Sequence, residues 1–559
     1  MKYFFLSSFS LLLSVVVSAQ ELIRGPYLQF PTSSSMKVMW RTQSPTSGRV
    51  YYGTSVATLM DNFVDSINPL TDHTVAISGL EPYTEYYYAI SDGQNILSGG
   101  DEMHRFRTSP IIGTEQPISI WAIGDFGKGS PNQKDVMDSY IAHMGEEVSD
   151  VWLWLGDNVY DDGLDEEYQA KVFNPEWGMT DIFKRMPFMP IPGNHDYGSI
   201  APPTASINPL LHTGAYYDIV DVPTNGEIGG TPSGSELYYS FDYGNVHFIG
   251  LNSELGSILS TSNDWIGANP FGSFDGSPMT EWLHADLAAN DKKWVVAFFH
   301  QPPHTGGSHS SADLWERFML AMRENICPIL ESYGVDLVVN GHSHVYERSY
   351  LLHDFFGVPN QFNAAQHVVD GGSGSLAAGV PYIKYTEGPT AGIGTVYLIQ
   401  GNSGSSETDA PLDHPAMYST VGCDSCFGSS LLYVHGDTLK GRYLASTGEL
   451  MDEFAIIKRV APSGINETTK PLFGEVKVYP NPFKDETMVT FNVYQEMSAT
   501  IELVSLTGQI IHVFNSGTLA KGPQNYKINA SELKLAKGAY LVRINSSVQP
   551  SVTRLIKVE

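Results

Sequence analysis

Five apolar runs in the middle of the chain end in the same way. Each run stops at Gly or Phe, and one or more side chains able to bind a metal ion follow directly. The runs lie in ISIWAIGD, VWLWLGD, PFMPIPGN, WVVAFFH and VDLVVNGH. Their β-branched and aromatic composition predicts strands covered on both faces, as in a parallel sheet. Three segments between the runs have a partly helical pattern: SPNQKDVMDSYIAHMGEEV, MTEWLHADLAAN and ADLWERFMLAMRENICPILESYG. The sequence therefore predicts an α/β layered core.

The side chains that follow these runs form one set of candidates. In open α/β sheets, the loops after the carboxyl ends of the strands meet at the binding crevice. A single Gly-Asp pair after a strand is commonly a turn, but the same residue class after five strands favours one shared site. Carboxylate, phenol, amide and imidazole groups without a thiolate suit iron, zinc or manganese. The candidates are Asp125, Asp157, Tyr160, Asn194, His195, His300, His342 and His344.

The charge balance bears on the substrate and the partners. The chain has 32 Lys plus Arg against 61 Asp plus Glu, a formal net charge of -29. Such a surface repels nucleic acid and anionic lipid, so neither is an expected partner. An anionic substrate would need local positive charge, which metal ions supply. Two ions about 3.5 to 4 Å apart can clamp the attacking and leaving oxygens of a displacement, and Asp157 is the central candidate for a bridging carboxylate.

The start of the chain predicts export. Residues 1–19 read as a charged start, an apolar stretch and a small-residue cleavage site, so a secretory signal is expected to be cleaved before Gln20. No later segment is apolar enough to span a bilayer. Three cysteines exclude a scaffold built on disulfides. Cys423 and Cys426 are spaced so that they could form one disulfide, whereas Cys327 is expected to be a buried free thiol.

The 559 residues are too many for one typical domain. Residues 20–109 contain short alternating strands typical of a β-sandwich, and ISGLEPYTEYYYAI resembles the corner of a fibronectin type III domain. Residues 110–458 carry the α/β pattern. Residues 459–474 are polar with Pro and Gly and predict a linker. Short alternating strands return over residues 475–559, which predicts a second β-sandwich. The expected fold class is therefore multidomain.

The motifs resemble those of a known family. The order GDFG, GDNVY, GNHD, a histidine after WVVAFF and then GHSH is similar to the purple acid phosphatases of the binuclear metallophosphoesterase superfamily. RGPYLQF also resembles the domain that precedes the catalytic domain in larger members. The resemblance implies a four-layer α/β catalytic domain, with β-sheets flanked by helices. It also implies two ligand sets that share a bridging Asp157: Asp125, Tyr160 and His344 for ferric iron, and Asn194, His300 and His342 for divalent iron, zinc or manganese.

Four residues are candidates for the reaction itself. His195 is expected to face the substrate as a hydrogen-bond donor or general acid to the leaving oxygen, with Asp196 orienting its ring. His304 in HQPPH is a candidate for contact with the phosphate, with an exposed loop histidine as the alternative. His309 in GGSHSS is a weaker candidate at the rim of the pocket.

The resemblance implies a secreted acid phosphatase that hydrolyses small phosphate monoesters by attack of a metal-bound hydroxide. A phosphodiesterase or nucleotidase with the same metal core is the alternative. A binding protein that has lost activity is disfavoured, because all seven candidate metal ligands are present.

The end of the chain resembles a different family. VYPNPF, LTGQII and KGAYLVRI, within residues 475–559, are similar to the C-terminal sorting domains of the type IX secretion system. The resemblance implies the type IX machinery as a partner and passage across the outer membrane. The alternative is a plain β-sandwich that serves in adhesion.

Overall fold

The computed structural model describes residues 21–198, 207, 212–254, 277–313, 315–406, 412–423, 425–461, 476–494, 496–505, 510–546 and 551–557. The expected signal segment, and most of the expected linker, lie outside these residues. The chain forms two compact units, Met1–Ala461 and Pro462–Glu559.

The N-terminal part of the first unit is a β domain. Its strands belong to one sheet, in which β1, β2, β4 and β5 are neighbours, β3 pairs with β2 and β6 pairs with β4. Alternate side chains of these strands are buried around Trp40 and Tyr88 in a core of their own, as expected for strands with one buried face. The strands are β1 (Leu22–Gln29), β2 (Ser35–Gly53), β3 (Asn62–Ser78), β4 (Glu85–Ser91), β5 (Ile96–Gly99) and β6 (Arg105–Arg107).

The rest of the first unit is built on two mixed sheets. One has the order β10-β11-β12-β13-β18-β14-β19 and the other the order β17-β22-β21-β20-β7-β8-β9, with a small β15-β16 pair beside them. The strands are β7 (Ile118–Ile123), β8 (Val151–Leu155), β9 (Phe188–Ile191), β10 (Tyr239–Tyr243), β11 (Val246–Gly250), β12 (Trp294–Phe298), β13 (Leu337–Asn340), β14 (Tyr346–Ser349), β15 (Leu351–Leu352), β16 (Val368–Asp370), β17 (Tyr382–Tyr385), β18 (Val396–Gln400), β19 (Met417–Val421), β20 (Gly428–His435), β21 (Thr438–Ala445) and β22 (Leu450–Arg459).

The five apolar runs of the sequence are strands β7, β8, β9, β12 and β13. β7, β8 and β9 are parallel to one another, and β12 is parallel to β13. Every residue of β8 and of β12 is buried, because both faces of these strands are covered. Side chains from both sheets share one hydrophobic core, which includes Trp154 and Phe298. The prediction of an α/β core is confirmed.

Helices occupy the three segments for which the sequence favours them. Ser130 and Ser277 accept hydrogen bonds from the backbone of Gln133 and Thr280, so α1 and α6 begin with a capping side chain, followed in both by proline. The described helices are α1 (Pro131–Met144), α2 (Asp165–Glu167), α3 (Thr180–Phe183), α4 (Asn194–Tyr197), α5 (Ala215–Ile219), α6 (Pro278–Ala289), α7 (Arg317–Ala321), α8 (Cys327–Ser332) and α9 (Ala364–His367), with π-helical turns at Tyr168–Val172 and Met322–Ile326 and 3-10 turns at Leu59–Asp61, Pro175–Trp177 and Pro359–Gln361.

The second unit consists of strands in two sheets, with orders β23-β24-β27 and β26-β25-β28-β29. Ile501, Leu503 and Val542 are among its core residues. The strands are β23 (Lys477–Tyr479), β24 (Glu486–Val493), β25 (Met497–Ser505), β26 (Ile510–Leu519), β27 (Gly522–Asn529), β28 (Gly538–Ser546) and β29 (Ser551–Lys557).

The cysteines behave as two kinds of residue. Cys423 and Cys426 form a disulfide, and Cys327 is a buried free thiol. Within the described part of the chain, no helix combines the length and the apolar character needed to cross a bilayer.

Candidate metal centre

The loops after β7, β8, β9, β12 and β13 bring all seven candidate metal ligands together. The parallel strands end at the same side of their sheets, so their loops converge there. The ligand-type side chains form two groups with short distances inside each group. Their chemistry is that of oxygen and imidazole donors.

The first group contains Asp125, Tyr160 and His344. The Tyr160 hydroxyl lies 3.2 Å from Asp125 Oδ1 and 3.3 Å from His344 Nε2. His344 Nε2 is 3.5 Å from the same Asp125 oxygen. Three potential metal-ligand atoms from three different loops therefore lie within 3.5 Å of one another.

The second group contains Asn194, His300 and His342. Asn194 Oδ1 lies 3.2 Å from His300 Nε2 and 3.0 Å from His342 Nδ1. The two imidazole nitrogens are 3.3 Å apart. His300 is oriented from behind, because its Nδ1 donates to the carbonyl of Leu155 at 2.9 Å. That bond leaves Nε2 facing the group.

Asp157 lies between the two groups. Its Oδ1 is 3.3 Å from His300 Nε2. Ligand atoms of Asp125, Asp157 and His300 all lie within 4.8 Å of one another, and the three residues are buried. One carboxylate is therefore within reach of both groups.

The backbone at the site adopts conformations that are rare for residues other than glycine. Asp125, Asp157 and His342 have φ values of 58°, 49° and 67°. Left-handed backbone at non-glycine residues costs free energy and is concentrated at functional sites. Two glycines allow the ligands to pack this closely. A Cβ atom at Gly341 would lie 2.6 Å from Asp125 Oδ2, and one at Gly193 would lie 2.3 Å from the Asp157 backbone nitrogen.

Burial and charge shift the pKa values of the ligands strongly. Burial by itself would raise the pKa of Asp157, but the neighbouring His300 and His195 outweigh it and hold this pKa below its usual value. For His300, burial works to lower the pKa, yet Asp157 and Asp125 raise it to about 10. Burial lowers the pKa of His342 to about 4. The imidazoles of His300 and His195 thus favour the ionised form of the buried Asp157 carboxylate.

His195 lies beside the seven ligands. Its backbone N–H donates to Asp157 Oδ1 at 2.8 Å, and its ring Nε2 is 4.0 Å from Asp157 Oδ2. Its ring packs on that of Tyr160, with 4.3 Å between the centroids. With 37% of its side chain exposed, His195 is open to solvent on one side.

The expected role of Asp196 needs a correction. His195 Nδ1 donates to the backbone carbonyl of Asp161 at 2.8 Å, so a carbonyl holds the ring from this side. Asp196 is buried and accepts hydrogen bonds from the backbone N–H groups of Gly193 and Asn158 and from the Tyr168 hydroxyl. Burial, together with the charge of Asp157, raises the pKa of Asp196 to about 6. Asp196 therefore shapes the loop between the strands.

The candidate role of His304 also needs a correction. Its side chain is fully buried and stacks on the ring of Phe355 with 4.9 Å between the centroids. The ring of Tyr397 lies across its edge. Burial lowers the pKa of His304 well below its usual value. The loop carries this histidine into an aromatic core, away from the solvent that brings substrate, and we leave it out of the site.

Two residues near the ligands carried no clear signal in the sequence. Glu316 accepts from His309 Nδ1 at 2.7 Å and lies 3.7 Å from His342 Nε2, and the ring of His309 packs on that of His342. Glu316 falls inside a segment that the sequence predicts as a helix, so it has no motif of its own. Lys128 lies over the Tyr160 ring, with Nζ 3.2 Å from the centroid. Its place directly after GDFG is the only hint in the sequence.

Comparisons with known proteins agree with the fold. The model of the calcineurin-like phosphoesterase family matches residues 118–346. The model of the purple acid phosphatase N-terminal domain matches residues 23–108, and that of the secretion system C-terminal sorting domain matches residues 477–559. Three parts of the chain thus match three separate family models.

Individual relatives cover part of the chain. Purple acid phosphatase 15 of Arabidopsis thaliana is 30% identical over 306 residues, which are 51% of this chain and 50% of the relative. Purple acid phosphatase 23 of the same plant is 30% identical over 309 residues, 51% of this chain and 58% of the relative. The chain thus spans about half the length of these relatives. The structure of a purple acid phosphatase from yellow lupin (Lupinus luteus) seeds matches with a TM-score of 0.57 and 18% identity, over 78% of this chain and 75% of that one.

The fold and the site define a metallophosphoesterase-type α/β protein. Within that class, the resemblance to the purple acid phosphatases is confirmed, since residues 23–108 match the model of the N-terminal domain of that family and residues 118–346 match that of the calcineurin-like phosphoesterases.

Proposed function

We propose that this protein is an acid phosphatase that hydrolyses phosphate monoesters at a binuclear metal centre. The observation that carries the proposal is the position of Asp157, whose carboxylate is within reach of both ligand groups. A shared carboxylate is what a pair of metal ions requires. The relatives named as purple acid phosphatases support the same activity.

The residues present fit two metal ions. In the second group, an amide oxygen and two imidazole nitrogens lie 3.0 to 3.3 Å from one another, so one cation would be within reach of all three. Asp125, Tyr160 and His344 would hold one ion, Asn194, His300 and His342 the other, and Asp157 both. When bound, the ions would lower the pKa of a water molecule and neutralise the phosphoryl oxygens.

The identity of the metals is part of the proposal. Tyr160 is the residue that discriminates, because a phenolate favours a hard trivalent ion, and we propose ferric iron for the group that contains it. Burial and the charges of Asp125 and Asp157 raise the pKa of Tyr160 well above its usual value, so a strongly charged cation would be needed to hold it as a phenolate. We propose divalent iron, zinc or manganese for the other group.

We propose His195 as the group that donates to the leaving oxygen. Because Nδ1 donates to the Asp161 carbonyl, Nε2 is the nitrogen left to face the substrate. Nε2 carries a proton only when the imidazole is cationic, and a general acid needs that proton. His309, whose ring packs on that of His342, stays a weaker candidate for contact with the phosphate.

A phosphodiesterase or nucleotidase remains the second candidate function, because the same metal core can serve those reactions. Hydrolysis of a panel of monoesters and diesters across pH separates the two. We expect the purified protein to contain about two metal ions per chain, to show a broad visible absorption band and to prefer monoesters. Activity in a colourless, metal-free protein would overturn the metal assignment, and a preference for diesters would overturn the substrate assignment.

We further propose that the protein is exported. The match to a secretion sorting domain over residues 477–559 supports the type IX machinery as its partner. Release outside the cell or attachment to its surface would then follow. The domain boundaries given above, and the sandwich arrangement of both terminal β domains, also stay proposals.

A further inference from the structure

One carboxylate holds the loop that follows Tyr160. Glu167, at the end of α2, accepts the backbone N–H groups of Asp161 at 2.6 Å, Asp162 at 2.9 Å and Leu164 at 3.1 Å. Hydrogen bonds to an ionised carboxylate are stronger than those between neutral groups. Three such bonds from nearly consecutive residues fix the path of this loop.

The same loop orients His195. The carbonyl of Asp161, which shares a peptide unit with the Asp162 N–H that Glu167 accepts, receives the hydrogen bond from His195 Nδ1 at 2.8 Å. A shift of this peptide unit would turn the imidazole ring and move Nε2 relative to Asp157, from which it is 4.0 Å away. The Glu167 carboxylate is therefore linked to the His195 ring through one peptide unit.

Lys171 strengthens this arrangement. Its Nζ lies 3.1 Å from Glu167 Oε1 and also donates to the backbone carbonyl of Tyr160. The pair lies one helical turn apart, which is a favourable spacing for opposite charges. Glu167 and Lys171 thus hold both ends of the peptide segment that carries Tyr160 and Asp161.

The N-terminal β domain anchors the turn on which Glu167 lies. Asp165, two residues earlier, pairs with Arg24 Nη2 at 3.0 Å and with Arg41. Arg24 comes from β1 and Arg41 from β2. Arg24 is buried, donates to Gln169 Oε1 at 3.0 Å and lies over the Phe173 ring. Both arginines therefore fix α2 to the β domain.

We propose that Glu167 is a positioning residue for His195, and that the N-terminal β domain fixes Glu167 through the contacts of Arg24 and Arg41 with Asp165. The inference rests on the proposed function, because it concerns the histidine that we assign to the leaving oxygen. Glu167 also caps the first turn of α2, so a purely structural role is the competing explanation. The test has to separate the two roles.

The first test is Glu167→Gln in the full-length, metal-loaded protein. Glutamine keeps one acceptor oxygen but loses the charge that strengthens the three bonds. We expect kcat on an aryl phosphate monoester to fall about tenfold, because small misplacements of a catalytic group are costly, with KM, metal content and the visible band unchanged. Glu166→Gln is the matched control, since Glu166 is its exposed neighbour in α2, and it should leave kcat unchanged.

A double variant identifies the route. If Glu167 acts through His195, the variant with both Glu167→Gln and His195→Ala should have the kcat of His195→Ala alone. Losses that multiply would overturn the inference, and so would loss of metal or of the visible band in Glu167→Gln. A kcat for Glu167→Gln equal to that of the wild type would overturn it as well. An inactive wild-type protein would instead refute the proposed function.

Two measurements keep the inference testable if Glu167→Gln folds poorly. Asp165→Asn weakens the anchor without touching the loop, and we expect a smaller fall in kcat, about threefold; no fall would overturn the part assigned to the β domain. In the metal-free protein, nitrogen NMR of the His195 ring should show the Nδ1–H tautomer alone, and a mixture of tautomers in Asp165→Asn or Glu167→Gln. An unchanged tautomer in both variants would overturn the inference.

Discussion

Two buried charged clusters lie at opposite ends of the same parallel strands. At the carboxyl ends of β12 and β13, the chain continues into His300 and His342 of the candidate metal centre. At their amino ends lies Asp336, which directly precedes β13 and accepts the backbone N–H of Val295 in β12 at 2.9 Å. The two ends differ in how the protein balances the buried charge.

At the amino ends, the protein supplies the counter-charges itself. Asp336 is fully buried and lies 2.9 Å from Lys384 Nζ and 2.8 Å from Lys458 Nζ. Burial would raise the pKa of Asp336, but the two ammonium groups outweigh it and lower this pKa. Lys384 also donates to two backbone carbonyls, at 2.7 and 2.9 Å. The cluster is complete as it stands.

At the carboxyl ends, imidazoles are the ion-pair partners of the buried carboxylates. Asp157 pairs with His300 and His195, and Asp125 with His344. Oxygen and nitrogen atoms of the ligand set lie 3.0 to 3.3 Å apart there, and the backbone of three ligands is left-handed. A cluster completed by the protein stabilises the fold, whereas an incomplete cluster in strained backbone is suited to binding cations.

Removal of the shared carboxylate tests the comparison most severely. Asp157→Ala should reduce bound metal to well below two ions per chain and activity to background, because both ligand groups lose a donor. Metal analysis and hydrolysis rates measure this. Asp135→Ala, an exposed position on α1, is the control that should change neither. A variant with full metal content would show that Asp157 does not hold the ions.

The opposite cluster should affect stability and not chemistry. Asp336→Asn leaves two buried ammonium groups without their carboxylate, so unfolding should become easier by about 3 to 5 kcal/mol. Thermal and denaturant unfolding measure the loss. Metal content and kcat of the folded protein should stay unchanged. Asp437→Asn, which breaks an exposed pair with Lys293, should cost less than about 1 kcal/mol; equal losses in both variants would contradict the comparison.

His195 separates metal binding from turnover within the site. His195→Ala removes the proposed proton donor but no metal ligand, so kcat should fall about a hundredfold while metal content and the visible band persist. Steady-state kinetics and metal analysis of the same variant measure the two effects. His435→Ala, at an exposed histidine of β20, should have no effect. Loss of metal in the His195→Ala variant would show that His195 is a metal ligand.

A third buried cluster, around His247 of β11, predicts that the stability of the fold depends on pH. His247 lies between Asp242 at 2.7 Å and Asp286 at 2.8 Å, with Lys292 3.6 Å from Asp242. Burial lowers the pKa of His247, but the two carboxylates raise it from 6.5 to about 9. The pKa of His247 is higher in the folded state than in the unfolded state. The stabilisation of the fold by protonated His247 is therefore complete below pH 6.5 and is lost as the pH rises through 9.

Thermal unfolding should therefore show a loss of about 2 kcal/mol between about pH 7 and about pH 9. His247→Asn should be less stable at neutral pH and should flatten this dependence. An unchanged slope in the variant would place the titration elsewhere.

Much of the catalytic domain could be predicted from the sequence. Strands covered on both faces need continuous apolar runs, so β8 and β12 were visible as VWLWL and WVVAF. The ligand-type residues directly after the strands lie within one local motif each. His304 shows the limit of this reasoning, because it follows His300 by four residues yet is buried against Phe355. The direction of the His304 side chain depends on packing against aromatic residues far away in the chain.

The sequence by itself determined the residue types at the site and their places after five strands, since strand ends and turn glycines are set by local patterns. Only the tertiary structure decided which atoms meet: His342 Nδ1 beside Asn194, and His344 Nε2 beside Tyr160. It also decided that Asp161 orients His195 and that Lys384 and Lys458 neutralise Asp336. These contacts join segments far apart in the chain, and only packing of the two sheets and the β domain fixes their distances.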